Sequence, residues 1–173
     1  MFQISELVNR DASLISRRCW TDQGVYELEK RGIFGRAWLF LGHESQIRQP
    51  GDFVQAYMCE TPIILSRGQD LQVHANINSC SHRGLPVCRA DHGNTRRFIC
   101  PYHNWSYSVE GELVTIPQES ALGTKPDKSA LGLKRVPRVE SWRGLIFGSF
   151  DPGIIPLEEY LGDMRFYLNG VLW

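Results

Sequence analysis

Two short stretches decide the reading of this chain: Cys80-Ser81-His82-Arg83-Gly84 and Cys100-Pro101-Tyr102-His103. Seventeen residues separate His82 from Cys100, so the pattern is C-x-H, a spacer, then C-x-x-H. Each stretch offers one thiol and one imidazole, and both bind metals once deprotonated. Two chemistries use such a set. In a two-iron, two-sulfide cluster the thiolates take one iron and the imidazoles the other. The imidazoles reduce the negative charge, draw the added electron to their iron and raise the potential above that of an all-cysteine cluster. A structural zinc ion takes the same four groups in a tetrahedron. Zinc ligand pairs usually stand about two to four residues apart. C-x-H is tighter than that and favours the cluster.

The residues around the ligands suit loops. Gly84 is expected to permit close backbone approach, and Pro101 to stiffen the second loop. Backbone N–H groups and the hydroxyls of Ser81 or Tyr102 are candidate donors to the sulfurs, which would tune the potential. Arg83 beside a ligand histidine suits pairing with a partner's carboxylate or with the cluster's negative charge, or is an ordinary solvated arginine. Trp105 is expected to pack under the cluster or simply in the core. The remaining thiols, Cys19, Cys59 and Cys88, have no framework spacing and read as structural. His43 reads as a turn residue, His74 as a strand residue and His92 as part of the spacer loop; none is expected to be a ligand.

Outward from these loops the chain reads as mainly β. Strand-like runs fall at 38–41, 53–58, 62–66, 71–77, 98–99, 105–107, 113–116, 138–141 and 144–150. Turns are expected at Pro50-Gly51-Asp52, Glu60-Thr61, Gly68-Gln69-Asp70 and Glu110-Gly111, and a long loop at about 117–129. Residues 1–20 read as irregular. Thr21 or Asp22 can cap a helix running to about Phe34. After Pro156, the residues Leu157, Tyr160, Leu161, Met164 and Leu168 recur at helical spacing and predict one amphipathic helix, followed by an apolar Val171-Leu172-Trp173 tail.

The bulk properties narrow the function classes. The 173 residues are 42% hydrophobic and 22% charged, with zero formal net charge. No strong field draws nucleic acid or anionic lipid. No apolar run approaches membrane-spanning length, and the N-terminus has no signal-like apolar core. A cytoplasmic protein is the expectation. No G-x-G-x-x-G follows a strand and no P-loop is present, so electrons are not expected to come directly from a nicotinamide.

The paired stretches resemble the Rieske signature. More narrowly, the chain resembles the N-terminal half of the large (α) subunit of aromatic-ring-hydroxylating dioxygenases of the biphenyl, phenylpropionate and naphthalene types. The likeness rests on IFGRAWLFLGHESQI (33–47), PGDF (50–53), NSCSHRG (78–84), ADHGNTRRFICPYHNWSY (90–107), VESWRGLIFGSFD (139–151) and YLGDMRFYL (160–168). It implies a Rieske [2Fe–2S] fold of antiparallel sheets with an N-terminal helix and a C-terminal amphipathic helix. It implies that Cys80, His82, Cys100 and His103 hold the cluster. The implied divisions are a helical segment 1–37, a Rieske domain 38–152, and the start of a linker into a catalytic domain at 153–173. The family usually has glycine where this chain has Asn104. Asparagine tolerates left-handed angles, so the loop is expected to survive. Rieske proteins of the respiratory bc-complex type carry a disulfide between their loops, at positions resembling Leu85 and Tyr102.

The implied function is single-electron transfer within a ring-hydroxylating dioxygenase. Full-length members carry out cis-dihydroxylation with O2 at a mononuclear iron(II) held by two histidines and a carboxylate. That iron belongs to a C-terminal domain with a D-x-x-H motif. No histidine follows His103 here, so that domain is expected to be absent, no residue of this chain is expected to be catalytic, and the chain alone is not expected to be catalytically competent. A ferredoxin or reductase is the implied electron donor, and an α-subunit trimer, with or without a β subunit, the implied assembly. The alternative is a stand-alone Rieske ferredoxin-like carrier, but such ferredoxins are shorter and lack both flanking helices.

Overall fold

A computed structural model describes residues 4–9, 11 and 13–172. Among the described residues ten strands form three antiparallel sheets. A three-stranded sheet runs in the order β1 (Leu39–His43), β10 (Leu145–Ser149), β9 (Arg138–Trp142). A four-stranded sheet runs β4 (Val73–Ile77), β3 (Thr61–Arg67), β2 (Asp52–Met58), β5 (His92–Asn94). The third runs β6 (Arg97–Ile99), β7 (Ser106–Ser108), β8 (Leu113–Thr115).

The central sheet is apolar on both faces because its strands alternate side chains between two cores. Phe53 and Ile64 point to one side and pack with Phe98, Tyr107, Val109 and Leu113 around the small third sheet. Val54, Ala56, Ile63 and Leu65 point to the other and pack with Leu41 and Ile146 of the β1–β10 sheet. Register enforces the division: Val54 pairs with Leu65 and Ala56 with Ile63. Ile63, Ile64 and Leu65 are therefore buried in succession, which explains the unbroken apolar run in β3. One buried hydrogen bond ties the central sheet to the small one, from Ser66 Oγ to the Val109 carbonyl at 2.6 Å.

The expected strands are present, with shifts of one to a few residues at their ends. The N-terminal helix differs more. A short helix α1 (Arg18–Thr21) precedes α2 (Gln23–Glu29), which passes into a π-turn at Lys30–Phe34. Asp22 is the cap between them and accepts from the Gly24 and Val25 amides. The first hairpin turn lies at Cys59-Glu60 rather than Glu60-Thr61, with Cys59 in the left-handed region. The 117–129 loop carries 3-10 turns at Glu119–Leu122 and, running past its end, Lys128–Leu131.

The C-terminal helix is a correction. It is two helices, α3 (Leu157–Leu161) and α4 (Met164–Asn169), broken at Gly162 with φ 46° and ψ −129°. Leu157 is buried with Trp38 and Ile154 in a third small core, while Met164 and Phe166 are exposed. The apolar periodicity thus spans a break that only glycine's backbone freedom allows. Trp173 lies outside the described residues. No helix of the described residues is long and apolar enough to cross a membrane.

Candidate metal centre

The two stretches singled out above become two loops of the same build. One follows β4 and the other joins β6 to β7. In the first, the Gly84 amide donates to the Cys80 carbonyl at 2.7 Å and the Cys80 amide to the Leu85 carbonyl at 2.9 Å. In the second, Asn104 donates to Cys100 at 2.9 Å and Cys100 to Trp105 at 2.8 Å. Each loop thus closes on its own cysteine through the residues four and five positions on. The residue at the fourth position is left-handed in both: Gly84 has φ 75° and Asn104 φ 58°. This is the physical reason asparagine can replace glycine there. At Gly84 the positive φ by itself favours glycine; of the protein's own atoms, a Cβ there would meet Ser79 Oγ at 3.7 Å.

The fold brings all four predicted side chains to one end of the molecule. Cys80 and Cys100 are 3% and 2% exposed, in the core that also holds Phe98, Tyr107 and Leu113 of the small sheet. The His82 and His103 rings lie above them toward solvent, with centroids 4.7 Å apart. Trp105 stacks on His82 at 5.0 Å and 10°, while also reaching the core. Tyr102 stacks on His103 at 3.9 Å and 28°, and the Arg83 guanidinium lies 5.8 Å from the Tyr102 ring.

A hydroxyl that sequence reasoning did not name meets a cysteine sulfur. Of the two named, Ser81 Oγ donates away, to the Gly132 carbonyl at 2.6 Å. The donor is Tyr107. Its buried hydroxyl accepts from the Ser81 amide at 3.1 Å and stands 3.2 Å from Cys80 Sγ, so that its proton turns to the sulfur when Cys80 is a thiolate. Burial, and next the bond to Cys80, push the Tyr107 phenol well above its ordinary range. Sequence reasoning also missed Asn78, 1% exposed. Its Oδ1 accepts from the Val87 and Cys88 amides at 2.8 and 3.0 Å, and its Nδ2 donates to the Cys88 carbonyl at 2.8 Å. This side chain pins the far end of the first loop. An asparagine two residues ahead of a candidate ligand cysteine was the available signal.

The other thiols and imidazoles stand apart. Burial raises the Cys88 and Cys59 thiols, which disfavours thiolate at either. His43 caps the turn at Glu44–Gln46, its Nδ1 accepting from the Ser45 amide at 3.1 Å. His74 in β4 pairs with Asp70 at 3.0 Å, and His92 is an exposed residue of β5 rather than of a loop.

The donor set itself tests whether a [2Fe–2S] cluster fits. His103 Nδ1 is buried and has no hydrogen-bond partner among the described residues. A buried polar atom left bare costs about 1–3 kcal/mol, and a metal at that nitrogen removes the deficit. Burial, then the nearby His82 and Arg83, hold the His103 imidazole below its ordinary pKa, so it is ready to ligate without losing a proton. Among the described residues no three Cys, His, Asp or Glu side chains are gathered for a single ion. A two-iron cluster does not ask for that, since its ligands come in separated pairs. Two buried thiols and two adjoining imidazoles fit it.

Residues 37–137 match the Rieske [2Fe-2S] domain. The chain is 41% identical over 173 residues to the benzene 1,2-dioxygenase subunit alpha of Pseudomonas putida, covering 98% of this chain and 38% of that protein. It is 40% identical over 169 residues to the biphenyl 2,3-dioxygenase subunit alpha of Rhodococcus jostii, covering 98% and 36%. Among solved structures it superposes on naphthalene 1,2-dioxygenase from a Rhodococcus species, bound to indole, with TM-score 0.86 and 44% identity, covering 91% of this chain and 36% of that one. The chain belongs to the Rieske [2Fe-2S] domain family. It spans under two fifths of the length of these curated relatives.

Proposed function

We propose that this chain is the electron-transfer part of an aromatic-ring-hydroxylating dioxygenase α subunit, with Cys80, His82, Cys100 and His103 as the ligands of its cluster. The observation that carries the reading is the pair of matched loops, which deliver two buried thiols and two adjoining imidazoles to one end of the fold. When bound, the cluster accepts and returns one electron at a time. The protein's own residues do the rest. Tyr107 donates a hydrogen bond to Cys80 Sγ and so favours the more negative, reduced state. Trp105 and Tyr102 cover the two imidazoles and limit water at the ligand nitrogens. His82, on the exposed side, offers a short path to a partner.

The remaining assignments belong to the same proposal. Residues 38–152 form the Rieske unit, 1–37 a helical segment beside it, and 153–173 a linker toward a domain with a mononuclear iron. The strands β9 and β10 close a sheet with β1, which supports a boundary beyond residue 149. Electrons come from a ferredoxin or reductase, the subunit assembles with other α subunits, and the setting is cytoplasmic. Ring dihydroxylation is the activity of the whole oxygenase.

The test is metal analysis and EPR of the purified chain. Two irons and two acid-labile sulfides per chain are expected, with a reduced-state signal of the mixed Cys/His type. His103→Ala or Cys100→Ala is expected to abolish that signal. An unchanged signal in either variant, or zinc in place of iron in the parent, would overturn the assignment.

A further inference from the structure

The planar groups at the centre form one row: Trp105, His82, His103, Tyr102, Arg83. Trp105 lies on His82 at 5.0 Å, His82 meets His103 edge-on at 4.7 Å, His103 lies on Tyr102 at 3.9 Å, and Arg83 stands 5.8 Å from the Tyr102 ring. The row weaves between the loops. Trp105, His103 and Tyr102 come from the second loop, and His82 and Arg83 from the first. The backbone-to-backbone hydrogen bonds described above close each loop on itself, and in the core beneath, the Ser81 amide reaches the Tyr107 hydroxyl. Across the mouth, where His82 and His103 approach solvent, side-chain stacking is what links the two. No disulfide is present among the described residues; Cys80, Cys88 and Cys100 are all free thiols.

The two ends of the row are anchored differently. Trp105 is held by the core under it. At the other end Tyr102 is 55% exposed, with the Arg83 guanidinium 5.8 Å from its ring. Arg83 makes no ion pair among the described residues, so its charge is directed to the ring face. A cation over an aromatic ring contributes modestly at the surface, yet here it is the outermost contact of the row between the first loop and the second.

Resting on the cluster-binding reading above, we infer that Arg83 and Tyr102 are positioning residues. Together they form a non-covalent clasp across the two loops that holds the His103 ring in place and slows loss of the cluster. The stacked ring performs this role, not the phenol hydroxyl, because the contact to His103 is face to face. Neither residue needs to touch iron or sulfide.

The experiment compares the cluster-loaded 173-residue chain with Tyr102→Ala, Tyr102→Phe and Arg83→Ala. Iron release to a chelator is followed by the fading of visible absorbance, and the nitrogen hyperfine couplings of the reduced cluster are recorded by pulsed EPR. Release is expected to be about three- to tenfold faster in Tyr102→Ala and Arg83→Ala. It should be unchanged in Tyr102→Phe. The nitrogen couplings should shift in Tyr102→Ala, where the His103 ring is freed, and be restored in Tyr102→Phe. Should Tyr102→Ala fail to take up iron while Tyr102→Phe does, the clasp is supported and the exposed Arg83→Ala variant supplies the rate. Parental rates in Arg83→Ala, or a Tyr102→Phe variant as labile as Tyr102→Ala, would overturn the clasp and leave the cluster assignment intact. A parent chain that binds no iron–sulfur cluster would instead overturn the function proposed above, and the clasp with it.

Discussion

Tyr107 and Cys80 are 27 residues apart in sequence and in hydrogen-bond contact in the structure. A donor on a thiolate stabilises the reduced cluster more than the oxidised one, since the reduced form carries the greater negative charge. Tyr107→Phe keeps the buried ring and removes only the hydroxyl. It is expected to retain the cluster and lower its reduction potential, measured by redox titration followed by EPR. Stability should fall by about 1 kcal/mol as the Ser81 amide loses its acceptor. A potential equal to the parent's would mean that the hydroxyl does not reach the sulfur. The four proposed ligands were legible in the sequence because each pair sits within four residues and needs no long-range pairing to be seen. Tyr107 was not, since its role depends on β7 lying under the first loop. Nor was the true part of Ser81, whose hydroxyl is taken by the Gly132 carbonyl from a distant segment.

Among the elements, β9 and α3 are joined by one carboxylate. Glu140 on β9 accepts from the Leu157 amide at 2.8 Å and pairs with Arg138. Arg138 also donates to the Ile154 carbonyl and lies over Trp38, whose indole N–H bonds the Ile155 carbonyl. Burial alone would raise the Glu140 carboxyl, but the Leu157 amide and the Arg138 guanidinium outweigh it and hold the group below its ordinary range. A carboxyl depressed by folding contributes stability above its unfolded pKa and loses it as pH falls through the folded value. Glu140→Gln should therefore melt below the parent at neutral pH. The difference in Tm should shrink as the solution is acidified through the carboxylate range. A gap that stays constant with pH would show that the charge of Glu140 is irrelevant. The strands were read well because alternation and turn residues are local signals. The single C-terminal helix was misread because apolar spacing survives across Gly162 while the backbone does not.

At the scale of the whole molecule, the central sheet is shared between two cores, and the proposed metal centre rides on one of them. Ser66 is fully buried, and its hydroxyl is a polar tie between the central sheet and the sheet that carries the second loop. Ser66→Ala leaves the Val109 carbonyl without this donor and should cost about 1–3 kcal/mol, read from chemical denaturation of the apo chain. A loss within error of zero would show that apolar packing alone holds the layers together.

Sequence by itself marked the proposed donor set, its division between two loops, the tolerance of Asn104 for a left-handed angle, and the mostly β character of the chain. These are properties of neighbours: ligand spacing, the steric tolerance of glycine and asparagine, and the alternation of strands. Tertiary structure alone decided which sheet face each loop rests on and which hydroxyl meets Cys80. It also decided how Asn78 pins the first loop and that the stacked rings weave from one loop to the other. Those contacts follow from strand register and layer packing, where a shift of one residue turns every side chain to the opposite face.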